Sequence, residues 1–181
     1  MVAGVDDDFA AETACSGANA TALQDDVRNF TFFMAHLAAP PQMPITAGSA
    51  ADRGRTLFNS ASLACSGCHR SDSDVFVSTS AGGVRAGIVF APFSDFLAHD
   101  MGSLGDRIGV NDGDSVAATR RMRTAPLWGL RSRNKLLHDG RTVDRGAAIL
   151  AHDGQGAVAS AAFRALSATS KSDVLAYLNT L

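Results

Sequence analysis

The sequence has no excess of positive charge, no long apolar run and few cysteines. Its 181 residues carry 16 Lys and Arg against 18 Asp and Glu, so the net charge of −2 provides no basic field for nucleic acid or an anionic membrane. No stretch approaches the roughly 18 to 20 apolar residues that span a bilayer. The first residues are acidic and lack the basic and apolar segments of an export signal. We therefore expect no nucleic-acid partner and no membrane span.

The cysteine content argues against a disulfide framework. The chain has three cysteines, an odd number, and is too long for a disulfide-stabilised miniprotein. Cys65 and Cys68 are close in sequence, whereas no motif surrounds Cys15, which we interpret as an exposed bystander. The length suits one modest domain, with or without an arm, and excludes a multidomain protein.

Composition divides the chain near residue 20. Residues 1–20 are rich in Asp, Ala, Gly and Ser without periodicity, which predicts a loose arm or the remnant of an upstream domain. Residues 21–181 are predicted to form one domain that begins with a helix. We assign Met34 of this helix to core packing and His36, which lies off its apolar face, to the surface. The apolar face consists of Leu23, Val27, Phe30, Met34 and Leu37.

The rest of the chain predicts a mostly α fold with long loops. A second helix is expected to begin near Ser49 and to end close to Cys65. Residues 71–119 are rich in Gly, Ser and Asp and predict loops with a brief hairpin. Three short helices follow, in DRGAAILAH, in AVASAAFRALS and after Ser167. A long stretch with weak periodicity indicates a chain that wraps something other than itself.

Cys65-Ser66-Gly67-Cys68-His69 has the C-x-x-C-H form that attaches c-type haem. Two thiols separated by two residues on one turn can form thioethers with the two vinyl groups of one porphyrin. The imidazole that follows then reaches the iron from the same face. Cys65 and Cys68 are therefore predicted to anchor one covalent haem c, with His69 as the proximal ligand of the iron.

Two other interpretations of the cysteine pair are weaker. A zinc site needs two further Cys or His ligands at suitable spacing, and the sequence has no second pair. A dithiol redox pair needs a βαβ context, which this region lacks. The surroundings favour haem, because in a cytochrome c fold the helix that leads to the haem crosses the C-terminal helix. Gly54 would let the two backbones approach there, with Phe58 and Tyr177 filling the crossing.

The residues alone leave the sixth ligand of the iron open. Imidazole nitrogen and thioether sulfur are both common axial ligands of haem iron. Met34 is assigned to the core and His36 to the surface, so neither is a favoured ligand. The full set of candidates is His36, His99, His138, His152, Met34, Met43, Met101 and Met122.

Several blocks of sequence extend the C-x-x-C-H motif. They are FMAHLAAP, GRTLFNSASLACSGCH, FSDFLAHDMG, RTAPLWGL, LLHDGRTVDRGAAILAHDG and FRALSATSKSDVLAYLNTL. Together they resemble the carboxy-terminal haem domain of the bacterial di-haem oxidoreductase family. This thiol-oxidoreductase-like, peroxidase-like family is related to the di-haem cytochrome c peroxidases. The resemblance covers residues 25–181 and implies a cytochrome c-like haem domain.

The resemblance also implies the ligands of the iron. In the peroxidase relatives, the distal ligand lies one helix beyond an HDG motif. The HDG motif here is residues 138–140, and the helix after it ends at His152. The resemblance therefore implies an iron held by His69 and His152, with a lower potential than a His/Met centre. Met101 is the main alternative to His152.

Further residues are assigned to the edge of the haem. The resemblance implies that His138 bonds a propionate or orders its loop. Arg123, in RTAPLW, looks like a propionate partner, and its alternative is a solvated charge in the run RRMR. Trp128, the single tryptophan, is assigned to core packing rather than to an electron path.

The implied function is electron transfer by an iron whose axial positions are both filled. With one C-x-x-C-H, the chain is expected to be the C-terminal half of a di-haem protein. Its partner would be a second haem domain or an electron donor or acceptor protein. The alternative is a peroxide-reducing site in this chain, with a labile sixth ligand and His138 as acid or base. Because haem is attached to C-x-x-C-H outside the bacterial cytoplasm, we expect a periplasmic location.

Overall fold

A computed structural model of the chain describes residues 18–71, 73–78, 86–106, 108 and 115–181. Most of the predicted arm, residues 1–17 with Cys15, lies outside the described residues. The chain divides into two compact units. We call Met1–Ala38 with Val77–Val89 the small unit, and Ala39–Phe76 with Phe90–Leu181 the large unit.

The small unit contains a long helix, α1 (Ala18–His36). It begins close to the predicted start at Thr21. Phe30 and Met34, both on the predicted apolar face, are 64% and 50% exposed. The prediction that Met34 packs in a core is wrong, because no second helix covers this face within the described part of the small unit. His36 is exposed, as predicted.

The large unit contains the helices that the sequence predicts after Ser49. They are α2 (Ala50–Phe58), α3 (Arg145–Leu150), α4 (Ala157–Ala165) and α5 (Ala168–Leu178). Side-chain oxygens of Ser49, Asp144 and Ser167 accept hydrogen bonds from backbone amides in the first turns of α2, α3 and α5. None of the described helices combines the length and the hydrophobicity that a membrane span requires.

The described part of the stretch between α2 and α3 is mainly loop, as predicted, and short strands interrupt it. They are β1 (Phe76–Val77), paired with β2 (Val89–Phe90), and β3 (Ala98–Asp100), paired with β4 (Arg121–Arg123). The first pair matches the brief hairpin expected within residues 71–119. In the second, antiparallel pair, His99 lies opposite Met122. Strands of three residues are too short to show the alternation by which a strand is recognised in sequence.

The crossing of α2 and α5 organises the core of the large unit. A Cβ atom added to Gly54 would overlap the backbone carbonyl oxygen of Asp173 and would lie 2.9 Å from the Cβ of Tyr177. The rings of Phe58 and Tyr177 pack beside this point with centres 5.2 Å apart and planes inclined by 59°. The predicted close approach of the two helices at Gly54 is therefore confirmed.

An ion pair and a hydrophobic cluster complete the crossing. Nε and Nη2 of Arg53 donate to the two carboxylate oxygens of Asp173, each at 2.8 Å. This bidentate ion pair links α2 to α5. The buried hydrophobic residues around the crossing are Phe58, Leu63, Phe93, Leu130, Leu136, Phe163, Val174, Tyr177, Leu178 and Leu181.

Gly54→Ala should destabilise the protein by about 3 kcal/mol or more, because the added methyl meets backbone atoms that cannot move away without separating the helices. Chemical denaturation monitored by circular dichroism measures this change. Thr56→Ala, at an exposed position of the same helix, is the control and should change the free energy of unfolding by less than about 0.5 kcal/mol. Equal stability of the two variants would contradict the close approach.

Candidate functional site

Helix α2 leads the chain into the C-x-x-C-H motif. After α2 the backbone passes through Ala64, whose φ of 55° lies in the left-handed region, and Cys65–Gly67 then form a 3₁₀ turn. The amide of His69 donates to the carbonyl of Cys65 at 3.0 Å. This compact turn places both thiols and the imidazole in the wall of one cavity.

The cavity lies within the large unit and has a volume of about 350 Å³. Ligand and cofactor sites commonly occupy about 300 to 1,000 Å³. Much of the wall is apolar, with side chains from the core and from α3 and α5. The six site residues chosen from the sequence all line this cavity: Cys65, Cys68, His69, Arg123, His138 and His152.

Two histidines come close together in the cavity. The ring centres of His69 and His152 are 6.3 Å apart, and the ring planes are inclined by 58°. Two imidazoles that bind one metal ion from opposite sides through bonds of about 2 Å have ring centres about 6 Å apart. The observed separation therefore suits two axial ligands of a single metal ion.

Hydrogen bonds orient both imidazoles in the same way. Nδ1 of His69 donates to the carbonyl of Phe93 at 3.3 Å, and Nδ1 of His152 donates to the carbonyl of Ala148 at 2.8 Å. A carbonyl can only accept, so each ring carries its proton on Nδ1 and keeps the lone pair of Nε2 for a metal. Phe93 is buried and has a φ of 55°, a conformation that costs free energy in an aromatic residue and that accompanies the bond to His69.

The surroundings of His69 favour its neutral form. Burial, followed by the nearby imidazole of His152, lowers the pKa of His69 to about 4. The imidazole is therefore uncharged near neutral pH, which is the state that coordinates a metal.

The thiols of the motif do not have the properties of a redox pair. Burial raises the pKa of Cys65 to about 11. Burial and the charge of Asp95 raise the pKa of Cys68. Catalytic dithiols instead depend on a lowered pKa that supplies a thiolate near neutral pH. The local electrostatics thus count against the dithiol interpretation.

One further group of possible metal ligands lies beside the motif. Cys68, Asp95 and His99 place one ligand atom each within 4.8 Å of one another. Nε2 of His99 is already bonded to a carboxylate oxygen of Asp95 at 2.8 Å. The group offers three ligands from the described residues and leaves out Cys65, whereas a structural zinc site uses four. It is therefore a poor explanation for the paired cysteines.

Positive charge surrounds part of the cavity. Arg123, Arg133, Lys135 and Arg145 all line it, and the described lining residues include no Asp or Glu. Both terminal nitrogens of Arg133 donate to backbone carbonyls, of Pro126 and Trp128. Nε of Arg145 is buried and has no hydrogen-bond partner among the described residues. This part of the wall is suited to an anionic group.

The remaining candidates for the sixth ligand fall into two sets. Met43 does not line the cavity, and Met34 and His36 belong to the exposed helix α1. The candidates that do line it, besides His152, are His99, Met101, Met122 and His138.

The structure also shows the contacts of two further residues that the sequence analysis discussed, His138 and Trp128. Nε2 of His138 lies 4.0 Å from the carboxylate of Asp106. Trp128 packs against Phe90 with ring centres 5.6 Å apart and is not among the residues that line the cavity. Trp128 is half-buried and does not belong to the core cluster, so the structure does not place it in the core position that the sequence suggested.

Sequence reasoning missed Arg145 and the Asp95–His99 pair. One signal for Arg145 was available. A cation in the first turn of a helix interacts unfavourably with the helix dipole, so a role outside the helix was worth considering for it. Asp95 lies in a loop and His99 lies four residues later on β3, and spacing across the end of a loop does not determine which side chains meet.

Comparison with known proteins identifies a family. The family model described as "Di-haem oxidoreductase, putative peroxidase" matches residues 3–181. Searches of curated proteins and of solved structures returned no match. The family's description implies haem binding, which agrees with a cavity lined by a C-x-x-C-H motif and a second histidine. Since the match spans nearly the whole chain, this protein belongs to the di-haem oxidoreductase family.

Proposed function

We propose that this chain is a c-type haem domain that transfers electrons and carries one covalent haem. Cys65 and Cys68 would attach the haem, and His69 and His152 would be its axial ligands. The observation that carries this proposal is the pair of imidazoles in the cavity, with ring centres 6.3 Å apart and Nδ1 of each ring bonded to a backbone carbonyl.

The residues of the cavity fit a haem in three respects. The wall is apolar where a porphyrin ring needs to be excluded from water. The two thiols share one turn, which suits attachment to a single porphyrin. The cationic part of the wall, with the unpaired Nε of Arg145, suits the carboxylates that a haem carries.

The protein groups would hold the haem in one orientation. When bound, haem supplies a one-electron couple between ferric and ferrous iron. The carbonyl of Phe93 holds the ring of His69, and the carbonyl of Ala148 holds the ring of His152. With His152 in the sixth position, no site on the metal is left for a substrate. Electron transfer is the function that such an arrangement supports.

Arg123 and His138 would act at the edge of the haem. Both line the cavity. Arg123 lies on β4 and would pair with a propionate. His138, beside Asp106, would bond a propionate or order the loop between β4 and α3. Neither residue is proposed to bind the iron.

The packing of the helices supports a cytochrome c-like fold. Helix α2 precedes the haem motif and crosses α5 at Gly54 and Tyr177. This is the crossing expected when a cytochrome c-like domain is built around the cofactor.

We further propose where the domain works and with what. The family's description names two haems, whereas the sequence has one C-x-x-C-H. A second haem domain would therefore be the partner, with this chain as the C-terminal half of the pair, or an electron donor or acceptor protein would take that place. Because haem is attached to such motifs outside the bacterial cytoplasm, the proposed location is the periplasm.

A second candidate function is peroxide reduction at this same cavity. It requires His152 to leave the iron and His138 to serve as an acid or base. His138 lines this cavity, and its Nε2 lies 4.0 Å from the carboxylate of Asp106, which places a possible proton-transfer group beside the site. The family's description as a peroxidase is consistent with it.

Expression together with a haem ligation system should give a protein whose mass is increased by one haem. The pyridine haemochrome spectrum should show two thioether bonds. Cys65→Ala and Cys68→Ala should each lose a thioether bond, and Cys15→Ser is the matched control that should keep both. Purified protein that contains zinc and no haem would overturn the proposal.

His152→Ala should change the ferric iron from low spin to high spin, because it removes the sixth ligand. Electron paramagnetic resonance measures the change. His152→Met restores a ligand, so it should stay low spin and have a higher reduction potential. Met101→Ala should leave the low-spin spectrum unaltered. If Met101→Ala loses that spectrum and His152→Ala keeps it, the sixth ligand is Met101 and not His152.

The haem-loaded chain should not reduce peroxide faster than its His69→Ala, His152→Ala double variant, because both axial positions are filled at rest. Stopped-flow oxidation of an artificial electron donor measures this rate. Turnover that depends on His138 would favour the second candidate function over electron transfer alone.

A further inference from the structure

We infer that Arg145, which lines the cavity, is a positioning residue that binds a haem propionate through its guanidinium. The inference rests on the proposed function, since it requires a haem in this cavity. It adds a residue that neither the motif nor the family resemblance identifies.

The first argument is the state of the guanidinium. Arg145 is the first residue of α3, and its Nη2 donates to the carbonyl of Leu130 at 2.9 Å. That bond fixes the side chain against the core segment that carries Leu130. Nε is buried, yet it has no acceptor among the described residues. A buried donor without an acceptor is rare in folded proteins, and an arriving ligand is one way to satisfy it.

The second argument is the charge of the cavity. Four cationic side chains line it, and none of the described lining residues is acidic. Cations held together without counter-charges repel each other, and an anionic ligand removes that repulsion. Haem carries two carboxylates, so its chemistry matches the missing negative charge.

The third argument separates Arg145 from the other cations. Arg123 and Lys135 are exposed, so water screens their interactions with a carboxylate. The terminal nitrogens of Arg133 are occupied by the carbonyls of Pro126 and Trp128. Arg145 combines a half-buried side chain with a free donor, which makes its bond to a carboxylate less screened and more directional.

The reduction potential of the haem-loaded chain tests this inference. Arg145→Gln should shift the potential to a lower value, because a cation near the iron disfavours the more positive ferric state. Arg145→Lys keeps the charge and should shift it less. Arg164→Gln is the charge-matched control, at an exposed position of α4 that does not line the cavity, and should leave the potential unchanged.

Resonance Raman spectroscopy adds a measurement that tests the inference on the wild-type protein itself. The propionate bending band of the wild-type haem should lie at the frequency of a hydrogen-bonded carboxylate and should move toward the free value in Arg145→Gln. A wild-type band at the free value overturns the inference, even if Arg145→Gln does not fold. Equal reduction potentials for Arg145→Gln and Arg164→Gln would also overturn the inference. Wild-type protein without covalent haem would instead overturn the proposed function, and this inference with it.

Discussion

The close approach of α2 and α5 at Gly54 is the constraint on which the large unit depends. The backbone of α5 occupies the space that a side chain at Gly54 would need. Helix α2 ends at Phe58, whose ring packs on Tyr177 beside the crossing, and the chain then continues to the motif turn at Cys65–Gly67. The crossing also positions Val174 and Leu178 of α5, which line the cavity. One steric condition thus shapes both the hydrophobic core and the wall of the functional site.

The cavity combines three kinds of wall that a haem domain requires. Apolar side chains continue the core, two imidazoles present Nε2, and a cationic part balances negative charge. Each imidazole is held through Nδ1 by a backbone carbonyl rather than by another side chain. Substitution of neighbouring side chains can therefore change the charge around the cavity without directly removing the bonds that orient the two imidazoles. Membership of the di-haem oxidoreductase family agrees with this chemistry.

Local signals in the sequence were a good guide to the helices and to the motif. Ser49 and Ser167 cap the starts of their helices, and Gly54 lies at the helix crossing where the sequence predicted it. The apolar face of α1 was misleading, because periodicity shows that a helix has an apolar face but not whether anything covers it. Met34 is exposed for that reason.

The sequence by itself determined the composition of the proposed attachment motif, because the two thiols and the imidazole of Cys65, Cys68 and His69 lie within a single turn. It also determined where the capped helices begin, since capping depends on neighbours three residues apart. Tertiary structure decided the rest of the site. The approach of His152 to His69 and the unpaired Nε of Arg145 arise from contacts between segments far apart in the chain. Local spacing carries no information about such contacts, since they depend on how distant segments pack together.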